Sequence, residues 1–203
     1  MKKIIKLQAA AAGVGVAALA AFAVVPGAFA ASNSDSTTIT ANLGSTISVS
    51  SGPSVTLNVT PTAGGSITTA SDTVTVSTNE SNGYTLALST STATTALTGS
   101  PTGSIPASAG TQAVPVSLAA NTWGYRVDGQ GGFGAGPTTV VNNQATESHT
   151  WAGVPAVSAA NIINTTTGAA SGESTTVWYG LNATTASAGG TYTNTVVYTA
   201  TTR

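Results

Sequence analysis

Apolar and polar residues alternate along most of this chain, and nowhere is a helical period sustained. In SVTLNVTP, Val55, Leu57 and Val59 point one way while Thr56, Asn58 and Thr60 point the other, as in a half-buried strand. DTVTVST repeats the pattern with Val74 and Val76, and GYTLALST with Tyr84, Leu86 and Leu88. Between these two runs lies Asn82-Gly83, a strong turn signal, so Thr73 to Ser89 is predicted to form a hairpin. Further along, STTVWYGLNA sets Val177, Tyr179 and Leu181 on one face, and TYTNTVVYTAT does the same with Tyr192, Val196 and Tyr198. Val114 to Asp128 reads as a strand pair or one bent strand, TESHTWAG as a short strand, and VPAVSAANII as an extended return. The Ser, Thr, Gly and Pro of Ser91 to Ala113 read as a long connection with a short strand near Ser104 to Pro106. Eight to ten strands at turn-punctuated spacing, without helices between them, predict an all-β protein: an immunoglobulin-like or Greek-key β-sandwich.

The first thirty residues stand apart from this pattern. Lys2, Lys3 and Lys6 precede an alanine-rich apolar run, Pro26-Gly27 breaks it, and Ala28-Phe29-Ala30 supplies small residues for a peptidase. The segment 1–30 is therefore expected to be a signal peptide, and the mature chain to be secreted and free of the membrane. Residues 31–52 then read as a Ser/Thr-rich arm or a first strand, TTITANL, and 53–203 as a single sandwich domain. Such an arm can complete its own sheet or a neighbour's, so self-association is open to this chain.

Removing the leader removes every lysine, leaving Arg126 and Arg203 against Asp35, Asp72, Glu80, Asp128, Glu147 and Glu173. No cationic patch can form, so nucleic acid is excluded as a partner. The chain has no cysteine, which removes disulfides, thiolate chemistry and cysteine-based zinc sites. Missing lysine also removes self-forming isopeptide crosslinks, leaving the core and strand ladders to hold the fold. A threonine-rich exterior replaces charge as the source of solubility.

Candidate chemistry concentrates in NTWGYRVDGQGGFG. Gly129, Gly131 and Gly134 match a dinucleotide fingerprint in spacing, but no helix start follows the last glycine, so they read as a loop. Arg126 and Asp128 share the strand face opposite Trp123, Tyr125 and Val127. That face is expected to point outward, as a ligand clamp or a surface ion pair. Trp178 opposes the Val177, Tyr179 and Leu181 face, so it is expected to be exposed or buried in a second layer. Arg126, Asp128 and Trp178 are the candidate ligand surface. Glu147 and His149 also alternate onto one face, but a single histidine with one carboxylate is an incomplete set for metal or acid–base work. No catalytic, cofactor or metal site is assigned, and the chain is expected not to be an enzyme.

Taken together, VSTNESNGYTLALS, NTWGYRVDG, TTVWYGLNA and GGTYTNTVVYTAT resemble secreted β-sandwich proteins of bacterial cell surfaces, and most of all the loose group around WxL-type domains. Where that group carries Trp-x-Leu, Trp123 here is followed by Gly124-Tyr125. The resemblance implies a non-catalytic role in attachment or adhesion, with a cell-wall polymer or a surface protein or glycan as partner. A structural subunit of a surface layer or fibre, and less readily an extracellular carbohydrate-active enzyme, are the other readings.

Overall fold

The structure is a computed structural model that describes residues 32–203 apart from Pro101 and Pro137, so the expected signal peptide lies outside the described residues. The chain divides into two units, Met1–Ala41 and Asn42–Arg203. Of the first, residues 32–41 are described; they are exposed and carry no regular structure.

The second unit is all-β. One sheet holds β1 (Ile47–Ser50), β2 (Ser66–Thr78), β8 (Ala170–Ala183) and β6 (Thr122–Arg126), in the spatial order β1-β2-β8-β6. A second sheet holds β10 (Val196–Thr202), β3 (Tyr84–Thr90) and β7 (Asn161–Thr165), in the order β10-β3-β7, and every ladder is antiparallel. The third sheet is small: β5 (Ser104–Ile105), β4 (Leu97–Ser100) and β9 (Thr191–Thr193). The two larger sheets face each other across one core, in which Val74, Val76, Tyr125 and Val177 of the first meet Tyr84, Leu86, Leu88 and Ile163 of the second. All eight are fully buried. The architecture is thus the β-sandwich that the alternating pattern predicts.

Four expectations about pairing change. The runs β2 and β3 do not form a hairpin: β2 pairs with β1 and β8, and β3 with β10 and β7. The turn between them, closed by Gly83 N–H to Glu80 C=O at 3.1 Å, carries the chain across the sandwich instead. Both runs alternate with a buried face, and two such faces can bury each other only by lying in opposite layers. The first strand is not TTITANL, which carries no regular structure, but Ile47–Ser50, which pairs with Thr75–Thr78 of its own β2. Glu147 to Thr150 is not a strand, and only Trp151 and Ala152 make isolated bridges, to Val116 and Tyr125. The last predicted strand is split at Asn194-Thr195, because the Asn194 amide donates to Thr94 and Ala96 carbonyls and turns the chain from the small sheet into the second one.

The run Ser54–Pro61 keeps its alternation, with Val55, Leu57 and Val59 half-buried and their neighbours exposed. Yet among the described residues it belongs to no ladder. The β2 edge it needs is taken: Ile67 N–H and C=O bond to Gln144 at 2.8 and 3.0 Å, and Thr69 N–H donates to Val141 C=O at 3.0 Å. An edge has one set of backbone groups, so the loop that captures it leaves the neighbouring strand unpaired.

The first sheet is covered on its outer face as well. Ile67, Leu118 and Trp151 form a second cluster there, with Val141 and Trp178 against it. Gly180 makes this layer possible: a Cβ at that position would lie 2.8 Å from Leu118 Cδ1 and 3.1 Å from Trp151 Cζ2.

Candidate functional site

The predicted ligand residues do come together, but under cover. Arg126 ends β6 directly across from Trp178 of β8, and Asp128 follows two residues on. The expectation that Arg126 faces outward is corrected: it is 2 % exposed. The chain from Gly129 to Thr150 folds back over the guanidinium and satisfies each of its nitrogens. Nε donates to Asp128 Oδ1 at 2.8 Å and to Thr138 Oγ1 at 2.5 Å, Nη1 to the carbonyls of Phe133 at 2.7 Å and Thr150 at 3.4 Å, and Nη2 to that of Gly134 at 3.4 Å. The Phe133 ring lies beneath, 5.9 Å from Cζ. A buried charge must be met this completely to be tolerated.

Asp128 completes the knot by accepting from Thr138 N–H at 2.9 Å and Thr138 Oγ1–H at 2.6 Å. Partial desolvation raises its pKa, but the Thr138 bonds and the Arg126 bond and charge together outweigh it, holding the carboxyl below its ordinary range. The glycine loop fits this packing, since a Cβ on Gly136 would fall 2.0 Å from Asp128 Oδ2. Trp178 is half-buried in the second layer, one of the two positions its parity allowed.

Glu147 and His149 make a second structural knot. The Glu147 carboxylate accepts the His149 backbone N–H at 2.9 Å and the Trp151 indole N–H at 2.9 Å, and pairs with His149 Nδ1. It thereby holds Trp151 in the outer layer. Among the described residues no group of three or more His, Cys, Asp and Glu side chains is placed to hold a metal ion.

A concave feature lies elsewhere, on the side where Pro53–Val59 passes β10. Between them is a slot of about 720 Å³. Val55, Leu57 and Val59 form one wall, Val196 and Tyr198 the other, and Trp123, Tyr179 and Leu181 the floor. At the floor the Tyr179 and Tyr198 hydroxyls bond to each other at 2.8 Å. Asp72 Oδ1 accepts from Gly52 N–H at 2.9 Å nearby. Burial, with further contributions from the partner hydroxyl and the Asp72 charge, raises the pKa of Tyr179, and burial likewise raises that of Tyr198. Both phenols therefore stay neutral donors through the physiological range. The slot residues escaped the sequence reading, although parity did carry a signal: Asp72 shares its face with Val74 and Val76 and so had to point inward.

No helix among the described residues is long and apolar enough to cross a membrane. No family model matches the chain, and neither the curated proteins nor the solved structures compared with it include a match.

Proposed function

We propose that this chain is a secreted, non-catalytic surface protein whose β-sandwich binds a cell-wall polymer or a surface protein or glycan. The observation that carries this reading is the open slot beside β10, a concave surface with apolar walls and a few hydroxyls and one carboxylate at its floor, the mix by which binding sites recognise extended ligands. It is supported by the fate of the charged groups: Arg126, Asp128, Glu147 and His149 are all engaged in bonds that fasten loops to the sandwich. Co-sedimentation with isolated cell walls tests the reading. Retention well above that of a soluble control is expected, and equal retention overturns it.

A second reading is favoured by a separate observation. Among the described residues, Pro53–Val59 is strand-like but unpaired, and the outer edge of β10 has no neighbour in its sheet. A surface layer or fibre assembled by strand exchange would use both. Sedimentation of the purified protein over a range of concentrations tests it, with growth beyond the monomer expected and a monomer throughout as the contrary result.

A further inference from the structure

The two long walls of the slot are both short of a partner. Among the described residues, Pro53–Pro61 make no backbone-to-backbone hydrogen bond, and Asn58 C=O and Thr60 N–H are met by the side chains of Thr68 and Asn143. On the other side, among the described residues, β10 pairs with β3 alone. The core is correspondingly thin here. Core-facing Val55, Leu57, Val59, Val196 and Tyr198 are only half-buried, whereas Val74, Val76, Leu86 and Leu88 are 0 % exposed. A strand fills about 4.8 Å across a sheet, 10 Å between layers and 3.3 Å per residue, or roughly 160 Å³ for each residue. The slot of about 720 Å³ therefore matches an extended segment of four or five residues.

The same chain carries an alternating segment whose large apolar side chains are exposed. In Thr37–Leu43, Ile39, Ala41 and Leu43 alternate with Thr38, Thr40 and Asn42, and Ile39 and Leu43 are 90 % and 85 % exposed. We propose that this segment of a second copy enters the slot as the missing strand, with Ile39, Ala41 and Leu43 turned into the core between Val59 and Tyr198 and its backbone bonded to Pro53–Val59 or β10.

Reach decides between a second copy and the chain's own arm. Gly44 to Thr46 is tied to one end of the sandwich: Thr46 N–H donates to Asn79 Oδ1 at 2.7 Å, Asn79 Nδ2 to Gly44 C=O at 3.0 Å, and Ser45 Oγ to Glu80 Oε2 at 2.5 Å. Asn58 and Val59 lie toward the other end, where Asn58 C=O accepts from Thr68 Oγ1–H, eleven residues along the chain from Asn79. That is about 35 Å along a strand. Five residues of fully extended chain from Gly44 to Ile39 span at most about 18 Å, so a chain's own Ile39 cannot reach Val59, and its own Leu43, next to Gly44, cannot enter the slot. Each copy then offers an arm to one neighbour and a slot to another, a heterologous contact that builds rings or filaments.

This rests on the strand-exchange reading above. The test uses the full chain purified from its secreted fraction. The wild-type protein is expected to assemble, and the double substitution Ile39→Asp with Leu43→Asp to weaken assembly roughly a hundredfold or more, since each buried aliphatic side chain is worth about one to two decades of affinity. Both positions are exposed, so circular dichroism should be unchanged. Because the chain has no cysteine, mixing an Ile39→Cys chain with a Val59→Cys chain under oxidation should give a crosslinked pair, while both changes in one chain should give links only between chains. Assembly unaffected by the aspartates, or a link formed within one chain, overturns the arm-in-slot contact and leaves strand exchange by another route standing. A wild-type monomer at every concentration overturns both.

Discussion

The two sides of the sandwich are built from the same kind of sequence and end in opposite conditions. On the β6 side, a long loop lays Phe133, Thr138 and Trp151 over the sheet, and Tyr125, Arg126 and Trp151 are almost wholly removed from water. On the β10 side, Val55, Leu57 and Val59 alternate as regularly as any strand here and remain half-buried. The difference is one of edges. The loop reaches β2 through Val141 and Gln144, so one side gains a second layer and the other loses its strand. Burial of an alternating segment depends on whether a sheet edge is free to receive it, and not on its own hydrophobicity.

Substitutions can sharpen this contrast. Arg126→Ala should have the largest effect, about 3 to 5 kcal/mol in urea unfolding, because Asp128 and three carbonyls would lose their buried counter-group. Protease offers an independent readout: past the expected leader the chain has no lysine and only Arg126 and Arg203. Trypsin should therefore leave the native wild type intact and cut Arg126→Ala nowhere internally, while wild type in urea should be cut once, after Arg126, at a rate following its unfolded fraction.

The core comparison comes next. Leu86→Ala on the closed side should cost about 2 to 5 kcal/mol, as a cavity in a packed core does. Leu57→Ala, facing the slot, should cost only about 1 kcal/mol, since its side chain is half in water already. Equal losses at the two positions would mean that the slot is closed in solution. Between the two leucine losses, at about 1 to 3 kcal/mol, falls the expected effect of Glu147→Gln, which weakens the ties to His149 and Trp151.

Titration probes both sides at once. Tyr125 is pushed up to about 12 by burial, and Tyr179 and Tyr198 are raised for the same cause. A raised phenol pKa favours the fold fully below the unfolded value near 10, and that contribution declines as pH rises through the folded values. Alkaline unfolding should thus begin near pH 10 and steepen toward 12, followed by tyrosinate absorbance. Asp128 has the opposite sign. Its lowered pKa stabilises the fold above the unfolded value of about 3.9, and this is lost as pH falls through the lower folded value. Asp128→Asn should flatten that acid limb.

By itself the sequence determined the class of the fold, the place of most strands and which residues turn inward. Val74, Val76, Leu86, Leu88, Trp123, Tyr125, Val177 and Tyr179 all face the core as their parity required, because the direction of a strand side chain is a local property of the backbone. Trp178 was legible in the same way, as a residue on the other face. Tertiary structure decided which strands pair. Many segments here carry the same Thr-Val alternation, so any of them could match any edge, and the competition between Ser54–Pro61 and Val141–Gln144 for β2 is settled only when distant parts of the chain meet. It also decided that Arg126 is a buried anchor and not a clamp for a ligand. Parity put it on the outer face, but whether an outer face meets water depends on the loop that folds across it.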